Sequence, residues 1–189
     1  MGEFNYNPVT GKYDIDSDLG FPIGGGPYVI SALGAQEMGV SAGAARVTGL
    51  GLNAITLDNG VSNEAHFPFC VLPNADLSED PIVRVCIAPG TAQVSGSDFK
   101  MQLVTRYVAE GESYTKAADE TLTEIVTVSD TILTLVRFDF TLDGSKIEAN
   151  DFITCILSRL GADPDDDRNG DAYLLRAGLI TRTLQTSQE

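Results

Sequence analysis

The residues best placed to do chemistry lie near the C-terminus, in the run Asp163-Pro164-Asp165-Asp166-Asp167-Arg168-Asn169-Gly170-Asp171. Asp165, Asp167, Asn169 and Gly170 fall on the spacing of the first half of a calcium loop, with oxygen ligands at alternate positions and then a glycine for the sharp turn. Asp171 follows at once, so the candidate metal ligands are Asp165, Asp167, Asn169 and Asp171. The glutamate that would close an EF-hand loop falls at Arg176, and no helix is expected on either side. Such a loop would hold calcium weakly. The blander reading, and the weightier one, is a solvated turn between strands, because Asx side chains hydrogen-bond their own backbone.

Other chemistry is thin. His66 is the only histidine, and it sits between Ala65 and Phe67-Pro68 with no Gly-x-Ser-x-Gly anywhere, so it reads as a strand-edge residue and not a catalytic base. Cys70, Cys86 and Cys155 lie in apolar runs without a Cys-x-x-Cys pair, which fits buried free thiols rather than a zinc or redox site. Gly24-Gly25-Gly26 lacks the Gly-Lys-Ser/Thr of a phosphate loop. Gly49-Leu50-Gly51-Leu52-Asn53-Ala54 matches a dinucleotide fingerprint, but a strand and a turn follow it where a helix would be needed. No catalytic residue is assigned, and the chain is expected not to be an enzyme. A carboxylate-based glycan hydrolase is the catalytic alternative, since 27 acids leave many pairings open.

These residues need a scaffold, and the pattern specifies one. Phe99, Met101, Leu103 and Tyr107 alternate with Lys100, Gln102 and Arg106; Val136, Phe138, Phe140 and Leu142 alternate with Arg137, Asp139 and Thr141. That is the period of a half-buried strand. Further strands are expected over residues 66–73, 81–88, 151–160 and 173–184, separated by Gly, Asp and Pro turns. Strands 99–108 and 172–184 carry bulk on both faces, Tyr173 and Leu175 alternating with Leu174 and Ile180, which suggests cover from another subunit. Asn59-Gly60, after Ile55-Thr56-Leu57, is a hairpin signal. Helix support is limited to Thr115–Thr123 and the short Ser31–Met38. The fold class is therefore all-β, an antiparallel jelly-roll-like β-sandwich with an extended N-terminal arm.

Three stretches differ in character. Residues 1–27 are punctuated by Pro and Gly and read as an arm without regular elements, with Phe4, Tyr6, Tyr13, Phe21 and Ile23 as its partner-binding anchors. Residues 28–64 are rich in Gly and Ala, contain the hairpin, and suit close approach at an oligomer interface. Residues 65–189 form the sandwich body.

The charge balance narrows the partners. Twelve Lys+Arg against 27 Asp+Glu give a net charge of −15, which disfavours nucleic acid and anionic membranes. No apolar run approaches the roughly 18–20 residues of a membrane helix, and Met1-Gly2-Glu3-Phe4-Asn5 does not open a signal peptide, so a chain made in a cytoplasm is expected.

The string Glu148-Ala149-Asn150-Asp151-Phe152-Ile153-Thr154-Cys155-Ile156-Leu157-Ser158-Arg159-Leu160, followed by Asp163–Asp171 and Ala172-Tyr173-Leu174-Leu175, resembles the C-terminal pattern of tailed-phage virion proteins. Phe67-Pro68-Phe69, Leu72-Pro73, the 99–108 strand, Glu110-Gly111-Glu112 and Phe138-Asp139-Phe140-Thr141 are compatible with it, so it covers about residues 65–184. The Gly/Ala-rich segment 28–58 has no counterpart in it. The resemblance implies a jelly-roll β-sandwich, a homotrimer, and a bacteriophage capsid decoration or cement protein. Such a protein binds the major capsid protein or another virion protein at the capsid surface, with no enzymatic activity and no cofactor. A head-fibre, spike or tail receptor-binding domain is the alternative, and a calcium-binding adhesion module a further one.

Overall fold

The computed structural model describes residues 4–7, 12–15, 28–41, 45–49, 52–59, 63–91, 97–128 and 131–183. Its elements are β1 (Phe4–Asn7), β2 (Lys12–Ile15), β3 (Tyr28–Gly34), β4 (Gly39–Val40), β5 (Arg46–Gly49), β6 (Leu52–Leu57), β7 (Glu64–Cys70), β8 (Ala75–Asp76), β9 (Ile82–Pro89), β10 (Asp98–Val108), β11 (Glu120–Thr127), β12 (Val136–Thr141), β13 (Phe152–Arg159) and β14 (Ala172–Thr183). One sheet runs β11-β10-β13-β7-β4 and the other β12-β9-β14-β6-β5, with β3 and β8 also pairing β14. All pairings are antiparallel.

The pairings nest. β10 pairs β11, β9 pairs β12, β7 pairs β13 and β6 pairs β14. A long hairpin closed at β10–β11 thus winds over itself, its strands alternating between the two sheets. That is jelly-roll topology, and the chain is an all-β antiparallel sandwich as its alternating pattern implies.

The core fills the space between the sheets. Phe99, Met101 and Leu103 of β10, Ile153, Cys155 and Leu157 of β13, and Phe67 and Phe69 of β7 face Val83, Val85 and Ile87 of β9, Phe138 and Phe140 of β12, and Ile55 and Leu57 of β6. Inward positions alternate with more exposed ones, as β10 shows from Asp98 to Tyr107. β14 breaks the alternation at a bulge, where the register with β9 slips between Leu174 and Arg176. Ala172 and Leu174 face the core before the bulge, Ala177 and Leu179 after it. The extra residue changes the parity of the inward positions. The bulge is why Leu174 and Leu179, of opposite parity in the sequence, both face the core.

Four sequence expectations are corrected. β6 and β7 lie in different sheets, so Asn59 begins a crossing between sheets and not a hairpin; Gly60 lies outside the described residues. The hairpin of the 28–64 segment is β5–β6, with Gly49 opposite Leu52, and β3, β5 and β6 belong to the seven-stranded sheet. Ser31–Met38 is not a helix: Ser31–Gly34 completes β3 against β14, and only Ala35–Glu37 make a 3-10 turn. Thr115–Thr123 is not one either, because Glu120–Thr127 pairs along β10; sheet pairing outweighs local propensity there. Finally, the first 27 residues do contain a regular element. β1 and β2 pair with Tyr6 opposite Tyr13 and Phe4 opposite Ile15, while Phe21 and Ile23 lie outside the described residues.

Candidate functional site

The Asp-rich turn connects β13 to β14, and its charges are engaged by the protein itself. Arg159 is the last residue of β13 and continues the inward row of Ile153, Cys155 and Leu157. An arginine on that row is desolvated and needs a carboxylate. Asp166 supplies it: Nε donates to Oδ2 at 2.9 Å and Nη2 to Oδ1 at 2.6 Å, with both side chains essentially inaccessible. Arg159 also donates to the carbonyls of Arg168 and Gly170. Asp166 Oδ2 accepts a further bond from the Lys100 backbone N–H at 3.0 Å.

Arg168 reaches the other way. It donates to Ser97 Oγ at 3.1 Å and to the Thr91 carbonyl at 2.8 Å, tying the start of β10 to the chain just after β9. The Phe99 ring lies between the two arginines, 4.5 Å from the Arg159 guanidinium and 5.9 Å from that of Arg168, within cation–π range. The turn is therefore a clasp that joins the two sheets at one end. Gly170 closes it at φ +82°, where an added Cβ would lie 2.0 Å from Thr91 Oγ1.

The four proposed calcium ligands are dispersed within this clasp. Asp165 accepts from Lys100 Nζ at 2.9 Å, together with Asp163 at the same distance. These bonds raise the Lys100 pKa, and that of Asp163 is lowered by the Asp165 backbone N–H and by Lys100. Asp167 accepts from the Asp98 backbone N–H at 2.7 Å, and the Asn169 carbonyl accepts from Thr91 Oγ1 at 3.2 Å. Asp171 faces Asp58; burial and that neighbouring carboxyl raise its pKa. Among the described residues, no group of three or more His, Cys, Asp or Glu side chains is placed to hold a metal ion.

A second feature was not legible as a site. The outer face of the five-stranded sheet carries an open groove of about 290 Å³ lined by His66, Pro68, Arg106, Tyr114, Thr154 and Ile156. Pro68, Thr154 and Arg106 form one cross-strand row, and His66 and Ile156 the next. The Arg106 Nε donates to the Lys116 carbonyl at 2.7 Å, which holds the β10–β11 loop beside the groove. That loop presents Tyr114, 71% exposed. His66 Nε2 lies 3.3 Å from a Glu64 carboxylate oxygen. Thr154 Oγ1 is buried at the groove wall with no hydrogen-bond partner among the described residues. An exposed ring beside a guanidinium, an imidazole and a hydroxyl suits recognition of a polar surface.

Fold and site together define an antiparallel jelly-roll sandwich with a structural acidic turn and an open groove on its five-stranded sheet. No protein-family model matches the chain, and no curated protein matches its sequence. Among solved structures, it is similar in outline to the exo-β-1,3-galactanase of Phanerochaete chrysosporium, at a TM-score of 0.43 and 10% identity over 93% of this chain. It spans only 31% of that chain. A xylan-binding domain from CBM 22 gives 0.42 at 14% identity, covering 80% of this chain and 90% of the domain. A chain of the infectious bursal disease virus Gx strain gives 0.37 at 10% identity, covering 98% of this chain and 38% of that one.

Proposed function

We propose that the chain is a non-enzymatic virion structural protein, a capsid decoration or cement protein that binds the capsid lattice as an oligomer. The observation that carries this reading is the nature of the segment that resembles tailed-phage virion proteins. Asp151–Leu175 forms β13, the clasp and the start of β14, and its most charged residues hold Arg159, Lys100 and backbone amides in place. The likeness thus falls on residues that maintain a sandwich, which is what an architectural protein shares with its kin. The acidic exterior keeps decorated particles soluble and mutually repulsive. The arm supplies attachment, through Phe4, Tyr6, Tyr13, Phe21 and Ile23, and gains contact area when it orders on its partner. Deleting residues 1–27 is expected to leave a folded oligomer that no longer cosediments with capsids. Wild-type occupancy by the truncated protein would overturn the arm's role.

One observation favours a second reading, recognition of a host surface by a fibre or spike domain. It is the groove with Tyr114 standing exposed beside Arg106 and Thr154. Binding of the purified protein to host cells, lost in Tyr114→Ala, would select it over decoration.

A further inference from the structure

We propose that the groove on the outer face of the five-stranded sheet binds a sugar carrying a single carboxylate, that carboxylate on Arg106 and the sugar ring against Tyr114. The proposal names the ligand of the surface-recognition reading above and rests on it.

Arg106 is the charge that selects the ligand. Its Nε is committed to the Lys116 carbonyl at 2.7 Å, and its two Nη groups hold no oxygen among the described residues. Acids outnumber cations 27 to 12 in this chain, yet none reaches this guanidinium among the described residues. Within the β10–β11 loop, Lys116 takes Glu112 at 3.2 Å and Asp119 at 3.4 Å, and Asp119 also accepts from the Tyr107 backbone N–H at 2.7 Å. Glu110 in the same loop is exposed and makes no ion pair with Arg106. A half-buried guanidinium with both terminal nitrogens free is a fork for a planar carboxylate.

The rest of the groove fits a sugar rather than a peptide or a polyanion. Its floor is β10, β13 and β7, interior strands of the sheet, so it offers no free strand edge to an extended peptide. The Arg106–Thr154–Pro68 row and the Ile156–His66 row span roughly 7 by 10 Å, the footprint of a short saccharide. Tyr114 stands on a loop braced by the Arg106 and Asp119 bonds, and its exposed ring offers an apolar face to the C–H face of a sugar. Thr154 Oγ1, cross-strand from Arg106, has no partner among the described residues, and a turn about χ1 would bring it to a sugar hydroxyl. At the far end, the Glu64 carboxylate beside His66 accepts from hydroxyls and repels a second anion. The net charge of −15 repels polyanions in the same way.

The test is isothermal titration calorimetry of the full chain with sialate- and glucuronate-terminated trisaccharides, the neutral sugars of the same length, and a sulfated counterpart. The carboxylated sugars are expected to bind about tenfold more tightly, or better, than the neutral and sulfated ones. Tyr114→Ala and Arg106→Lys should each weaken that binding about tenfold, the lysine keeping the charge but not the fork. Thr154→Val should weaken it too while leaving the melting temperature unchanged or higher, since it removes a buried hydroxyl without a partner. The proposal is overturned by no binding of either carboxylated sugar at millimolar concentration, by equal or tighter binding of the neutral or sulfated sugars, or by affinity unchanged in Tyr114→Ala and Arg106→Lys. Host cells that bind the wild type and not Tyr114→Ala, yet are not competed by either carboxylated sugar, would overturn the ligand class and leave surface recognition standing.

Discussion

Asp166→Asn isolates the buried pair of the clasp. The substitution keeps the side chain's volume and removes its charge, leaving Arg159 buried without its carboxylate. The pair is closed to water, Arg159 and Asp166 side chains being 1% and 0% exposed, and two hydrogen bonds of 2.9 and 2.6 Å join them. Breaking such a pair from one side costs about 3–5 kcal/mol, because the remaining ion stays desolvated. For a domain of this size, each kcal/mol moves the melting temperature by about 2–4 °C, so the midpoint should fall by about 6–20 °C. Urea unfolding monitored by far-ultraviolet circular dichroism, with calorimetry in parallel, measures both quantities. Lys100→Ala is the control: its partners Asp163 and Asp165 are 29% and 59% exposed, and pairs open to solvent are worth about 0–1 kcal/mol each. Replacing both partners, Arg159→Met with Asp166→Leu, should recover much of the loss, since no unpaired charge remains. A cost below about 1 kcal/mol for Asp166→Asn, or one no larger than that of Lys100→Ala, would refute the account of the turn as a clasp.

Three further outcomes follow from the same geometry. Asp171 carries a raised pKa, so its charged form is disfavoured in the fold and stability falls as pH rises from the unfolded value of 3.8 through the raised one; Asp171→Asn should therefore be the more stable protein at neutral pH, the difference vanishing below about pH 3.8 in paired urea titrations. Alkylation followed by mass spectrometry of the native protein should label exposed Cys70 first and Cys86 more slowly, since burial raises the Cys86 thiol pKa, and should leave fully buried Cys155 unmodified until unfolding. Chelator should leave the melting temperature unchanged, because the acids of the turn are already held by Lys100, Arg159 and backbone amides; a shift on adding calcium would restore the metal reading.

The strands were legible because burial has a period. In β10 and β12, inward and outward residues alternate as the sequence does, and the expected faces are the observed ones. Where the structure departed from expectation, the deciding interaction was distant in sequence. Ser31–Gly34 extends because β14, more than a hundred residues later, offers a partner edge. Glu120–Thr127 extends because β10 does. Asn59-Gly60 signals reversal locally, but β6 and β7 have their partners in opposite sheets. A local pattern does not encode which sheet a strand joins.

The clasp could have been found by following parity one residue further. Ile153, Cys155 and Leu157 mark the inward side of β13, and the next residue on that side is Arg159. A guanidinium held there is tenable only with a carboxylate within reach, and the Asp-rich run begins four residues on. Read by composition, that run suggests a cation-binding loop. Read by parity, it is the counter-charge to an arginine the strand has already committed to the interior. The two readings differ in which group is scarce. A calcium loop has surplus carboxylate seeking an ion, whereas here Arg159, Lys100 and backbone amides already take up Asp163, Asp165, Asp166 and Asp167. The same accounting finds no carboxylate for the exposed Arg137 and Arg176 among the described residues, so the arginines without a counter-charge stand on the outer sheet face and not at the acidic turn.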